Sequence, residues 1–214
     1  MKKVLVLTMA IALIAGAANA AVVSVSTTAP TVDATDESNL AVAETGSLKW
    51  FHDIEHDAGQ TFTPSANLTL NSMTIKIGTG KKNDNDHADE WLIFRLGTIT
   101  RPGGVFTFTD IYSEEAHWDM DWVSDDYITF ALDTPQAVTG GVEYGVILDA
   151  QEMGNWTNGI PYLAETGNAE YAGGNAIGRG NDRNKDLIFH ADLVPEPATM
   201  VLLGLGGLLL RRKR

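Results

Sequence analysis

The chain has no cysteine among its 214 residues. That removes disulfides, thiol catalysis and every zinc or iron–sulfur site built on cysteine, so an exported form must hold together by packing alone or by packing plus bound cations. Cationic residues are scarce as well: 15 Lys and Arg stand against 28 Asp and Glu, a net charge of −13. The two ends, residues 1–20 and 195–214, hold six of the bases and one of the acids, which leaves 27 acidic residues against 9 basic over residues 21–194. Nucleic acid is a poor partner for such a body, and so is an anionic membrane surface. Solubility in a crowded envelope and attraction of divalent cations are favoured instead. The sequence also lacks an apolar run of the roughly 20 residues that a lasting helical span needs. It has no sustained stripe at helical spacing, no Gly-x-Ser-x-Gly elbow, no phosphate loop and no dinucleotide fingerprint. A non-catalytic protein is expected.

What the chain does have is two addressed ends. Met1, Lys2 and Lys3 form a positive start, Val4 to Ala15 an apolar stretch, and Ala18-Asn19-Ala20 a small-x-small cleavage site, the order of a secretory signal peptide cut by signal peptidase after Ala20. At the other end Pro195, Glu196 and Pro197 lead into the apolar run 198–210 and the cationic block Arg211, Arg212, Lys213 and Arg214. Basic residues beside a span resist translocation, so the block is expected to stay on the cytoplasmic side. The 13 residues of the run reach roughly 20 Å as a helix against a hydrocarbon core of roughly 30 Å. Gly204, Gly206 and Gly207 weaken that helix further. Such a segment suits a transient hold on the inner membrane better than a permanent one.

In all three parts this tail resembles the PEP-CTERM sorting signal of Gram-negative bacterial surface proteins. The resemblance implies recognition by an exosortase, a membrane-embedded cysteine protease-transpeptidase that removes the tail and passes the body to the cell surface or extracellular matrix. The protein would then be the substrate of that reaction.

The 174 residues between the ends suffice for one core. Residues 21–46 read as an edge strand or partly disordered leader, with Val22, Val23 and Val25 its strand-like cluster. Gln60 to Thr63 has strand content stopped by Pro64. In LTLNSMTIKI, residues 68–77, Leu68 and Leu70 share one parity and Met73, Ile75 and Ile77 the other, which predicts a bulge or bend at Asn71-Ser72. Residues 91–99 and 105–112 form an expected hairpin around Arg101-Pro102-Gly103-Gly104. Further strands are expected over 127–132, 142–149 and 186–193, while the Gly- and Asn-rich residues 151–185 show little periodicity. Short strands divided by turns predict a single antiparallel β-sandwich over 47–194, jelly-roll-like, flanked by the signal peptide and the short C-terminal sorting helix. Residues 59–78 and 134–148 are similar to the "Gln-x-Phe, then Leu-x-x-x-x-Ile" and "Pro-x-x-Val-x-x-Gly-x-x-Tyr-x-x-x-Leu" patterns of choice-of-anchor surface domains. That second resemblance implies a jelly-roll-like fold and no activity.

Candidate sites within the body are few. Asp182, Asn184 and Asp186 place oxygen ligands at the first, third and fifth positions of a calcium loop, but Leu187 and Leu193 stand where its glycine and bidentate glutamate belong. Calcium is the one cofactor suggested; a solvated acidic loop that blunts strand edges is the alternative, also for Asp84, Asp86, Asp89 and Glu90. His52 and His56 are four apart, a spacing that serves a metal only on a helix, and none is expected there. Glu114, Glu115, Asp119 and Asp121 supply carboxylates of the kind a glycosidase holds about 5–9.5 Å apart, yet acids this abundant adjoin one another by composition alone. Trp118, Asp119, Asp121 and Trp122, with Trp156, set indoles beside carboxylates and are the candidate contacts for surface polysaccharide. The competing expectation is that the indoles fill the core. A structural or adhesive surface protein is the leading reading, and a carbohydrate-binding module or carbohydrate-active enzyme the alternative.

Overall fold

The computed structural model describes residues 20–49, 58–79, 90–118, 122–149, 162–178 and 180–196. Along the chain come β1 (Ala21–Ser26), β2 (Glu37–Ser38), β3 (Gly46–Lys49), β4 (Ala58–Phe62), β5 (Leu68–Lys76), β6 (Glu90–Thr100), β7 (Thr107–Trp118), β8 (Tyr127–Val138), β9 (Tyr144–Asp149), β10 (Tyr162–Glu165), β11 (Ala176–Gly178), β12 (Asn181–Asp182) and β13 (Phe189–Pro195). One 3-10 turn, Pro102–Gly104, is the only helical element among the described residues. β3 pairs with β10, and the rest form one sheet in the order β12-β11-β4-β9-β6-β7-β1-β8-β5-β13-β2.

Laid flat, that sheet would hold β6 and β8 three strand spacings apart, roughly 14 Å. Phe94 on β6 and Phe130 on β8 instead have ring centroids 6.0 Å apart. Gln60 on β4 lies seven places from β13, yet its Oε1 accepts the N–H of Leu187, two residues before β13, at 2.8 Å. The sheet therefore doubles over so that its halves face each other across one core, in which Phe62, Leu70, Met73, Ile75, Phe94, Phe130 and Phe189 are buried. The fold class is all-β, with one correction. The sheet is mixed, because β1 runs parallel to β7 at Ala21↔Ala116 and Val22↔His117 while pairing antiparallel with β8.

The same pairing corrects the reading of residues 21–46. β1 is no edge strand: it fills the seam between β7 and β8 and joins the two halves. Its alternation is plain, with Ala21 and Val23 buried and Val22 67% exposed. β2 extends the sheet beside β13, and β3 pairs with β10, so residues 21–46 belong to the folded body. β5 is as expected, with a register shift against β8 between Leu70 and Ser72. β6 and β7 form the hairpin from Thr100↔Thr107 to Glu90↔Trp118. Its turn needs glycine, since Gly103 and Gly104 sit at φ 63° and 84°, where a Cβ is disfavoured. In the stretch that shows little periodicity, residues 162–178 and 180–185 hold the short β10, β11 and β12. β1 is antiparallel to β8, β8 to β5, and β5 to β13. The start of β1 and the finish of β13 therefore point the same way.

Candidate functional site

The sorting motif starts inside the fold. β13 pairs with β5 as far as Pro195↔Leu68, so the first proline of the motif is the last residue of the sheet. A proline there needs no donor of its own. Glu196 follows, half-buried, and no spacer separates body from motif.

On its other side β13 pairs with β2 at His190↔Ser38 and Ala191↔Glu37; the Asn39 N–H donates to the Phe189 carbonyl at 3.2 Å, and side chains of residues 35–39 add further bonds. Asn39 donates to the Leu187 carbonyl at 2.8 Å and accepts the Phe189 N–H at 2.9 Å. The Ser38 hydroxyl donates to the Phe189 carbonyl at 3.2 Å. Thr35 Oγ1 donates to the Leu193 carbonyl at 2.6 Å, and Asp36 Oδ1 accepts the Leu193 N–H at 2.9 Å. Asp36 Oδ2 accepts the Asp33 N–H at 2.7 Å and faces His190 Nε2 at 2.9 Å. The Asp36 and His190 side chains are 3% and 5% exposed. Burial alone would push the Asp36 carboxyl up, but the Leu193 and Asp33 N–H groups and the His190 ring together hold it below its ordinary range. His190 Nδ1 is buried with no hydrogen-bond partner among the described residues. Nothing in the local sequence announces this clamp, since Asp36 and His190 are 154 residues apart.

The other candidates fall in different places. Ala20 is described, immediately before β1, whereas Ala18 lies outside the described residues, as do Pro197, the run 198–210 and Arg211, Arg212, Lys213 and Arg214. His52, His56, Asp84, Asp86, Asp89, Asp119, Asp121 and Trp156 also lie outside them. Trp118 ends β7. Trp122 is 1% exposed and packs in the hydrophobic core, which corrects its reading as a sugar platform: in a doubled-over sheet so large an indole is better used as filling.

The calcium triad does not come together. The Asp182 carboxylate holds Arg101 through Nε at 2.5 Å and Nη2 at 3.0 Å, and the other side of that guanidinium grips Glu143. Asp186 turns inward, fully buried, where it accepts from Gln60 Nε2 at 3.3 Å and the Tyr171 N–H at 2.8 Å. Burial pushes its carboxyl up. Asn184 sits exposed between them. The reason is that one acid has a guanidinium to neutralise and the other closes the seam between the layers. Among the described residues no three His, Cys, Asp or Glu side chains are placed to share a metal ion. A cleft of about 360 Å³ opens beside Arg101, Glu143, Tyr171 and Asn175. Arg101 there is ion-paired as above and the Tyr171 hydroxyl donates to Glu37 at 2.7 Å.

No curated protein and no solved structure matches the chain. A family model does: residues 193–214, from the end of β13 onward, match the model of the PEP-CTERM protein-sorting motif, so the chain carries the sorting signal of the exported surface proteins that exosortase processes.

Proposed function

We propose that the mature protein is a structural or adhesive, non-catalytic component of the cell surface or extracellular matrix, delivered by two cuts. Signal peptidase removes residues 1–20; the run 198–210 then holds the body briefly at the inner membrane until exosortase severs the tail. The body acts as a β-sandwich of the choice-of-anchor kind, stable without disulfides because packing and cross-layer hydrogen bonds suffice.

One observation carries this reading: the matched segment, 193–214, begins within the last strand of the sheet. Whatever is joined at the motif is joined to the folded body with no flexible stalk, as suits a component held close to the surface that receives it. The test is the intact mass of the protein from its own cells, with and without exosortase. Cells with the enzyme should yield a chain lacking Arg211–Arg214, and a Glu196→Gln, Pro197→Ala variant should keep them. Recovery of the native chain with Arg214 attached in exosortase-positive cells refutes the proposal.

A further inference from the structure

The strand that fills the central seam, β1, begins at Ala21. Val22 is level with Ala131 of β8, so counting back puts Ala21 level with Leu132 and Ala20 with Asp133. On β7, Ala21 is level with Ala116. β7 and β8 both run on past the level of Ala21. The Asp133 N–H, at the level of Ala20, donates at 3.3 Å to Oε2 of Glu114, two residues before Ala116 on the same strand. Glu114 thus shares a face with Ala116, reaches into the mouth of the seam and is only 8% exposed. Its Oε1 is buried with no hydrogen-bond partner among the described residues.

A buried carboxylate without a counter-charge is costly, and a cation at this spot would relieve it. The groups around it do not supply one. The Tyr112 phenol, on β7, is a hydrogen-bond donor to this carboxyl but carries no charge, and Asp133, on β8, adds a second acid. By register the carboxylate, bonded to Asp133, is at the level of Ala20, so the Ala20–Ala21 peptide bond, the bond expected to be cut, lies at the same end of the seam. Hydrolysis consumes one water, leaves the new carboxylate on the departing leader and an amine on Ala21, which takes up a proton at neutral pH. The bond's single neutral N–H becomes a positive group with three donors.

We infer that Glu114 is the receptor for the α-ammonium group created at Ala21, so that the cut chain closes its central seam with an ion pair the precursor lacks. This rests on the signal-peptidase reading and adds to it a reason for the cut to fall where it does. Removal of the leader then tightens the body as well as releasing it.

The test uses the full-length exported protein after processing in its cell, with N-terminal sequencing first and NMR titration of the 15N-labelled terminal amine second. A chain beginning at Ala21 is expected to hold its amine at least about one unit above the ordinary 7.7–8.0, since an opposite charge within a few ångströms shifts a group by about 1–3 units. Glu114→Gln should return it to the ordinary range. So should two alanines inserted between Ala20 and Ala21, which carry the amine out of the seam. If Glu114→Gln does not accumulate, the insertion and the unaltered protein decide the matter. An Ala21 amine with an ordinary titration overturns the inference alone; a mature chain starting elsewhere overturns the processing reading and the inference with it.

Discussion

Replacing Asp36 by alanine should be among the most damaging single changes available outside the apolar core. The carboxylate accepts from the Leu193 and Asp33 N–H groups and faces the His190 ring, with 3% of its side chain exposed. Removing it orphans the Leu193 N–H on β13 and leaves the His190 ring buried without its hydrogen-bond partner. A single hydrogen bond to a charged group contributes about 1.5–3 kcal/mol, and breaking a buried charged cluster costs about 3–5 kcal/mol; the three contacts are not additive, and about 3–4 kcal/mol is the expected loss. For a body of this size that lowers Tm by about 10 °C. Asp36→Asn keeps an oxygen for Leu193 and should lose about half as much. The acid limb gives a second readout. Because the folded carboxyl lies below its ordinary range, the unfolded chain binds the proton first as pH falls. Its contribution is complete above the unfolded pKa of about 3.9 and drains away below it. Both variants should therefore show a shallower loss of stability between about pH 4 and pH 2. Urea unfolding followed by tryptophan fluorescence at pH 7 and pH 3 measures both effects. A change in Tm under about 2 °C for Asp36→Ala at pH 7 would refute the clamp.

Three further outcomes can be checked alongside it. Gln60→Leu strands the Leu187 N–H and uncouples the layers, costing about 2–3 kcal/mol by urea unfolding, and an unchanged midpoint would argue against the cross-layer bond. Trp122→Ala should cost about 3–5 kcal/mol and remove a blue-shifted component of the emission without altering glycan-array binding; loss of glycan binding at full stability would restore the platform reading. In the unprocessed chain Glu114 is held above its ordinary range, chiefly by burial, so the folded state keeps its proton to higher pH than the unfolded one. Stability should fall as pH rises from about 4.3 through the folded value, a slope that Glu114→Gln abolishes and that fades once the leader is cut.

Residues whose structure is decided by their immediate neighbours were legible in the chain. The parity switch in residues 68–77 reports a bulge because a strand flanked on one face has no other way to bury both Leu70 and Met73. Pro102-Gly103-Gly104 reports a reversal because its dihedral angles suit little else. What was hidden depends on distant partners. Three valines near residue 23 say "strand" without saying which strands flank it, and only the spare edges of β7 and β8 make β1 central. Short strands such as β11 and β12 contain too few residues for any period to emerge. Asp182 and Asp186 look like paired ligands on a loop, and a guanidinium from residue 101 and a glutamine from residue 60 draw them apart. The sorting tail was read most directly, since its address is written in consecutive residues.

The first strand enters and the last strand leaves through the same pole of the body. On the processing proposed above, a precursor held at one membrane by both ends has no topological obstacle to completing its fold: the acidic domain is able to assemble as a pendant and be released on the side where both cuts fall.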